Sequence, residues 1–275
     1  MSDDRIEALA FALAGPGGSL AEQPQSQSVA RDAARLISVV IPCCGQLEHT
    51  RMCVPSLLRH SRRPCELIFL DVASLDGTAE YLAGVAAAAP VRVEVVRAGS
   101  ESGFRAAVAE GLARARGDYV VWLNNDTIVT DGWLQQLVAL CGGHESIGMV
   151  GPMSNYAPPP QRVSETPYRV GARASGSSDD DRPDRERADV ETVNRFAVEW
   201  RERHKGQWAE AERLGGFCLL IKRSVLQEVE FFDDQSEKGL FDADALSRRV
   251  RQAGYRLACC RDLFIHHFGN RVATV

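Results

Sequence analysis

The sequence predicts an α/β fold, a mostly parallel sheet with helices on both faces. Two observations carry that prediction. Short, β-branched apolar runs recur at 37–41, 66–70, 91–96 and 119–123, the pattern of strands buried on both faces. Helical stretches at 51–60, 78–89 and 104–116 lie between them, and strands alternating with helices of this length build a parallel sheet. The 275 residues, 45% apolar and 25% charged, suffice for one large domain with a sizeable core.

Each element has its local reason. Ile37-Ser38-Val39-Val40-Ile41 is stopped by Pro42, and the run 66–70 ends at Asp71. The Ala-rich helix 78–89 opens behind Asp76-Gly77-Thr78, where Asp76 or Thr78 can cap it. The helix 104–116 carries small residues at close spacing, and the strand 119–123 runs into Asn124-Asn125-Asp126. A helix at 133–141 and a short strand at 148–150 complete this half. The second half is less regular: three prolines near 157–161, a Gly/Ser-rich then Asp/Arg-rich solvated, mobile loop at 171–187, and an amphipathic helix at 189–205. An apolar run at 214–221, a helix at 242–253 and a strand within 256–267 follow. Residues 1–35 read as a short helix (6–14) and a Gln/Ser linker, and 36–275 as the packed domain. That domain divides into a first half, 36–150, and a second, 151–275.

Composition narrows the function. Lys and Arg (32) against Asp and Glu (37) give a net charge of −5, without the basic surplus of a nucleic-acid binder, so no nucleic-acid partner is expected. No apolar run approaches the roughly 20 residues of a membrane-spanning helix. The acidic N-terminus lacks a signal peptide's basic flank, and the eight cysteines show neither CxxC nor Cys/His ligand spacing. Reduced thiols and a cytoplasmic protein are the expectation.

Three acidic clusters fall where chemistry is expected, because ligands of open α/β sheets sit at the carboxyl ends of the strands. At Asp71 to Thr78 a capping turn accounts for Asp76 and Gly77, whereas Asp71 projects at the strand end, able to accept a hydrogen bond from a base N–H. Asn124-Asn125-Asp126 offers oxygens that suit Mg²⁺ or Mn²⁺, and is also good turn chemistry. Asp242-Ala243-Asp244 opens a helix, where acidic residues complement the dipole or serve as a general base. His266 and His267 lie in a row on a strand, so one of them can face a carboxylate metal site.

Taken in order, these pieces resemble the family 2 glycosyltransferases, which have the GT-A nucleotide-diphospho-sugar transferase fold with its Rossmann-like sheet. The resemblance covers about Ile37 to Arg271. Ser38-Val39-Val40-Ile41-Pro42 is similar to the first strand, Asp71 to Thr78 to the nucleotide-binding turn, and Asn124-Asn125-Asp126-Thr127 to a form of the DxD motif. Gly151-Pro152-Met153-Ser154-Asn155-Tyr156, Gly216-Phe217-Cys218-Leu219, Ala253-Gly254-Tyr255 and His266-His267-Phe268-Gly269 are similar to a bacterial, rhamnosyltransferase-like subgroup that builds surface glycans.

The resemblance implies an inverting, metal-dependent hexosyl transfer from a nucleotide-diphosphate sugar to an acceptor hydroxyl on a glycan, lipid-linked sugar, peptide or small molecule. It implies that Pro42, Asp71, Ser74, Asp76, Asn124, Asn125 and Asp126 bind the donor, and that Asp126 with His266 or His267 holds Mn²⁺ or Mg²⁺. The catalytic base falls to Asp242 or Asp244, since the usual Glu-Asp pair aligns with Asp242 and Ala243. A Tyr-Asn pair common in the family is replaced by Cys44 and Gly45. The alternative is a catalytically degenerate member acting as a binding or scaffold module. A nucleotidyltransferase would favour a Gly-rich, basic phosphate loop after the first strand, which Cys43-Cys44-Gly45-Gln46 is not. The acceptor region is expected in the second half, and the helix 6–14 offers a surface to a partner or to a second copy in a homodimer. A peripheral position at the inner face of the membrane is a further expectation, and a chain that stops soon after the His266-His267 strand reads as a compact member of the family or as one domain of a larger assembly.

Overall fold

A computed structural model describes residues 35–99, 103–171, 182–231 and 241–269. The helix expected at 6–14 and its linker lie outside the described residues, as do 172–181 of the expected loop. The elements are β1 (Ile37–Cys43), α1 (Leu47–His60), β2 (Cys65–Val72), α2 (Thr78–Ala88), β3 (Arg92–Ala98), α3 (Gly103–Arg114), β4 (Tyr119–Leu123), β5 (Thr127–Ile128), α4 (Trp133–Gly143) and β6 (Ile147–Met153). They continue with α5 (Arg182–His204), β7 (Trp208–Ala211), β8 (Cys218–Lys222), α6 (Arg223–Glu228), α7 (Ala243–Gln252), β9 (Arg256–Phe264) and β10 (His266–His267).

Among the described residues one eight-stranded sheet runs β3-β2-β1-β4-β8-β6-β9-β7, beside a small β10-β5 pair. The β1–β2, β2–β3, β1–β4 and β6–β9 pairings are parallel, while β8 runs against β4 and β6, and β7 against β9. The expected mostly parallel α/β sheet is therefore present. The alternation of side chains divides the core cleanly. Ile37, Val39 and Ile41 of β1 pack with α1, α2 and α4 on one face, and Val40 with Ile68 and Leu70 packs against α3, α6 and α7 on the other.

Two features position the site. The order 2-1-4 reverses direction at β1, and the carboxyl ends of β1 and β4 flank that switch point, where open α/β sheets place their ligands. Because β8 is antiparallel, its amino end, preceded by Gly215-Gly216-Phe217, arrives at the same edge. One expectation needs correction: α5 begins at Arg182, so 182–187 is helical rather than part of a loop. Pro183 tolerates the first turn, Asp184 complements the dipole, and Arg187 meets Glu191 at 3.7 Å one turn on.

Candidate active site at the carboxyl edge of the sheet

Beyond β1 the chain turns through Gly45 and Gln46, both left-handed at φ 71° and 64°. This turn is stitched to the one after β2. Gly45 N donates to Ser74 Oγ at 2.8 Å, and Leu47 N donates to Asp76 Oδ2 at 2.9 Å. Asp76 Oδ1 also accepts from Thr78 N (3.2 Å) and Thr78 Oγ (2.6 Å). Burial works against the Asp76 charge, but the hydrogen bonds from Thr78 and Leu47 outweigh it and hold the carboxyl below its ordinary value. Asp76 and Ser74 thus serve as structural clasps. Pro42 is buried in register with Leu70, short of the turn itself. Cys44 follows it with a thiol pushed up to about 11, by burial first and by Asp71 second.

Asp71 does not project freely. Its side chain is 2% exposed, with Oδ1 accepting from Ser74 N at 3.3 Å and Oδ2 3.3 Å from Arg97 Nε. Ala73, two residues on, holds φ at 50°, a conformation that costs a non-glycine residue.

At the end of β4 the three residues of Asn124-Asn125-Asp126 diverge. Asn124 N donates to Phe217 O at 2.8 Å, joining β4 to the approach of β8. Asn125 turns inward and spends both amide hydrogens, on Gly45 O (3.1 Å) and Thr50 Oγ (2.9 Å), fastening the two lips of the switch point. Asp126, buried, places Oδ1 3.3 Å from His267 Nε2. His267 Nδ1 lies 2.8 Å from the Tyr156 carbonyl. A carbonyl only accepts, so Nδ1 carries a proton, and Nε2 is the ring atom that faces the Asp126 carboxylate. A proton on Nε2 or a cation bound by both atoms satisfies that contact. Imidazole and carboxylate are both divalent-metal ligands, so this pair fits such an ion. Asn124 Nδ2 stands 3.5 Å from the same nitrogen. Among the described residues no group of three or more His, Cys, Asp or Glu side chains forms a ready-made metal cage.

The two histidines part company as the strand period requires. His266 Nδ1 meets Tyr168 Oη at 3.0 Å, and its ring lies edge-on to Phe268. Burial, with the neighbouring His267, lowers its pKa to about 4. The structure therefore brings His267, and not His266, to Asp126.

The late helix opens where the sequence places it. Asp242 is its N-cap, Oδ1 accepting from Asp244 N (2.9 Å) and Ala245 N (3.1 Å). Asp244 pairs with Arg213 at 3.2 Å, both well exposed. Between them Ala243 packs toward Gly216, where an added Cβ would come within 3.1 Å of the Ala243 methyl and 2.8 Å of Phe241. A cavity of about 380 Å³ opens beside His267, walled by Tyr156, Pro158, Arg162, the Gly215-Gly216 backbone and Phe217. Neither Asp242 nor Asp244 lines it.

The model of the family described as glycosyl transferase family 2 matches residues 38–229. The chain belongs to that family. Among curated proteins it is 26% identical over 123 residues to "Glycosyltransferase GlyG" of Streptococcus pneumoniae, covering 45% of this chain and 40% of that one. It is 25% identical over 228 residues to "Uncharacterized protein y4gI" of Sinorhizobium fredii, covering 80% of this chain and 23% of that one. The chain thus spans well under half the length of both. Solved structures share the fold. A Pyrobaculum calidifontis mannosyltransferase, PcManGT, solved with GDP-Man and Mn²⁺, aligns at TM-score 0.58 and 15% identity, over 87% of this chain and 59% of that one. GalNAc-T7, solved with UDP, GalNAc and Mn²⁺, aligns at 0.60 and 15% identity over 98% and 54%. S. aureus TarS aligns at 0.56 and 12% identity over 84% and 60%. The sheet described above is that of the GT-A glycosyltransferases.

In this family 2 chain some of the support could not be read from residue types. Asn155 brackets His267 from the end of β6, its Nδ2 donating to His267 O (2.9 Å) and its Oδ1 accepting from His267 N (3.0 Å). Phe217 stacks flat on the His267 ring at 5.1 Å, and the Tyr156 carbonyl holds its Nδ1. Asn155 and Phe217 stand in motifs that the resemblance singles out, which was the available signal, but their partner lies 112 and 50 residues further along the chain. Arg97, at the end of β3, carried no signal at all.

Proposed function

We propose that this chain transfers a sugar from a nucleotide-diphosphate donor to an acceptor hydroxyl, with inversion and with a divalent cation, Mn²⁺ or Mg²⁺. The observation that carries the reading is the Asp126 Oδ1–His267 Nε2 contact at the switch point. Asp126 and His267 would hold the ion, with Asn124 beside them. Such an ion neutralises charge developing on a leaving diphosphate. That PcManGT and GalNAc-T7 were solved with Mn²⁺, and TarS with UDP-GlcNAc, supports the choice of cation and donor class.

The rest of the assignment concerns the chain's own residues. Asp71, held by Ser74 N and Arg97, presents a rigid carboxylate to a base edge. Gly45 suits a left-handed turn where a Cβ would come within 3.3 Å of Asp76 Oδ2. Asp242 and Asp244 sit in the first turn of α7, exposed, and reach an acceptor hydroxyl as general base only if that turn frays. Eight free thiols support a reducing compartment, and we extend the proposal to the cytoplasm. No helix among the described residues is long and apolar enough to cross a membrane.

The test is calorimetric titration of UDP-, GDP- and dTDP-sugars with and without Mn²⁺, for the natural chain and for Asp126→Ala. Metal-dependent binding of one nucleotide, lost in Asp126→Ala, is the expected result. Binding of none overturns the reading in favour of a degenerate binding module, the role that Ala243 at the usual base position would suit.

A further inference from the structure

The cavity beside His267 carries a second message, which rests on the transfer reading for its role but not for its chemistry. Its walls are mostly apolar or backbone: Pro158, Phe217, and Gly215-Gly216, whose missing Cβ atoms are enforced by Pro158 at 2.8 Å and Phe241 at 2.8 Å. Tyr156 stands at its rim, 56% exposed, with its ring edge-on to His267 at 5.5 Å. An exposed tyrosine at the mouth of a pocket of this size is a platform for a sugar ring. Arg162 is the cationic wall. It is exposed, and among the described residues no carboxylate pairs with its guanidinium, whereas Arg213 pairs with Asp244 and Arg256 with Glu210. None of the described lining residues is acidic, because Asp244 is turned to Arg213 and Asp242 to its own helix.

We propose that this cavity is the acceptor site and that Arg162 selects acceptors bearing an acidic group, a carboxylate or phosphate on a sugar ring that stacks on Tyr156. A guanidinium matches either anion through paired N–H donors, and such charge-assisted contacts are about twice as strong as neutral ones. The same chemistry is present in a donor's diphosphate, so the test must separate the two sources.

Methyl glucuronide is titrated against methyl glucoside, and glucose 6-phosphate against glucose, by calorimetry with Mn²⁺ and with UDP, GDP or dTDP present in turn. The acidic member of at least one pair should bind about tenfold to a hundredfold more tightly than its neutral partner. Arg162→Gln should bring the two within about twofold, Arg162→Lys should keep part of the preference, and neither should move the thermal midpoint. Equal binding within both pairs, no binding of any acidic probe, or an undiminished preference in Arg162→Gln overturns the proposal. If Arg162→Gln instead weakens the nucleotide itself, Arg162 belongs to the donor and the proposal also falls. A natural chain that binds no nucleotide but still prefers the acidic sugar would sink the transfer reading while leaving the selectivity of the cavity intact.

Discussion

Two carboxylates lie buried at opposite edges of the same sheet, Glu66 at the amino end of β2 and Asp126 beyond the carboxyl end of β4. Around Glu66 the described neighbours are donors: Ser38 Oγ at 2.6 Å, Arg116 N at 2.6 Å, and the Arg92 guanidinium. The same edge is closed so tightly that a Cβ on Gly117 would come within 2.6 Å of Leu36 O and Ser38 N. Asp126, by contrast, meets Nε2 of His267, whose Nδ1 is held by the Tyr156 carbonyl and whose backbone is held by Asn155. One carboxylate is closed in by donors that complete a structure, and the other faces an imidazole nitrogen, a group that also binds metal ions. The difference teaches that burial alone does not mark a site; the chemistry of the facing atom does.

Isosteric amides should separate the two ends most sharply. Asp126→Asn should lower transfer by about 10²- to 10³-fold, since charge stabilisation at the leaving group is lost. It should not destabilise the chain, because the new amide N–H can donate to His267 Nε2, worth about 1 kcal/mol. Donor turnover and a denaturant melt of the same preparation check both halves. A large loss of stability would mean that Asp126 is structural after all.

Glu66→Gln should do the reverse, costing about 3 kcal/mol in a denaturant melt because an amide hydrogen now faces donors, with nucleotide affinity unchanged under conditions where the chain is folded. Burial opposes the Glu66 charge, but the bonds from Ser38, Arg116 and Arg92 prevail and lower its pKa in the folded state. Its contribution is therefore complete above the unfolded value near ~4.3 and drains away as pH falls through the lower folded value. The natural chain should lose stability across that acidic window, and Glu66→Gln should flatten this part of the profile.

The two ends also differ in how far the sequence revealed them. The strands β1, β2 and β4 announce themselves because each is a contiguous apolar run, and the clusters at Asp71 and Asn124-Asn125-Asp126 follow from where such runs stop. What stayed hidden depends on pairing across the chain. β5 is two residues long, and β7, which includes the exposed Glu210, is a strand only because β9 lies beside it. Nothing local says that Asn125 turns inward to Gly45 while Asp126 turns to His267, or that His267 rather than His266 faces the site. The donors around Glu66 come from three separate loops and strands, so its role was equally invisible.

A smaller effect tests the late helix. Asp242→Ala removes the cap of α7 and should cost about 1 kcal/mol, whereas Asp242→Asn should keep the cap and most of that stability. If Asp242 is also the base, transfer should fall by at least about 10²-fold in both variants. If transfer follows stability instead, falling in the alanine and not in the asparagine variant, Asp242 is a cap and nothing more.

The smallest expected effect concerns strain at the carboxyl edge. Ala73 holds φ at 50° between Asp71 and Ser74, the two residues that anchor the turn to Arg97 and Gly45. Glycine adopts that conformation freely but adds entropy to the unfolded chain, so Ala73→Gly should raise stability by only about 0.5 kcal/mol. Nucleotide affinity is the sharper readout. If the strained turn pre-organises Asp71 for a base edge, relaxing it should weaken the nucleotide by about two- to threefold even as the protein becomes more stable. Gains in both would show that the strain at this edge serves no binding purpose, and would narrow the contrast between the two ends of the sheet to Asp126 and His267.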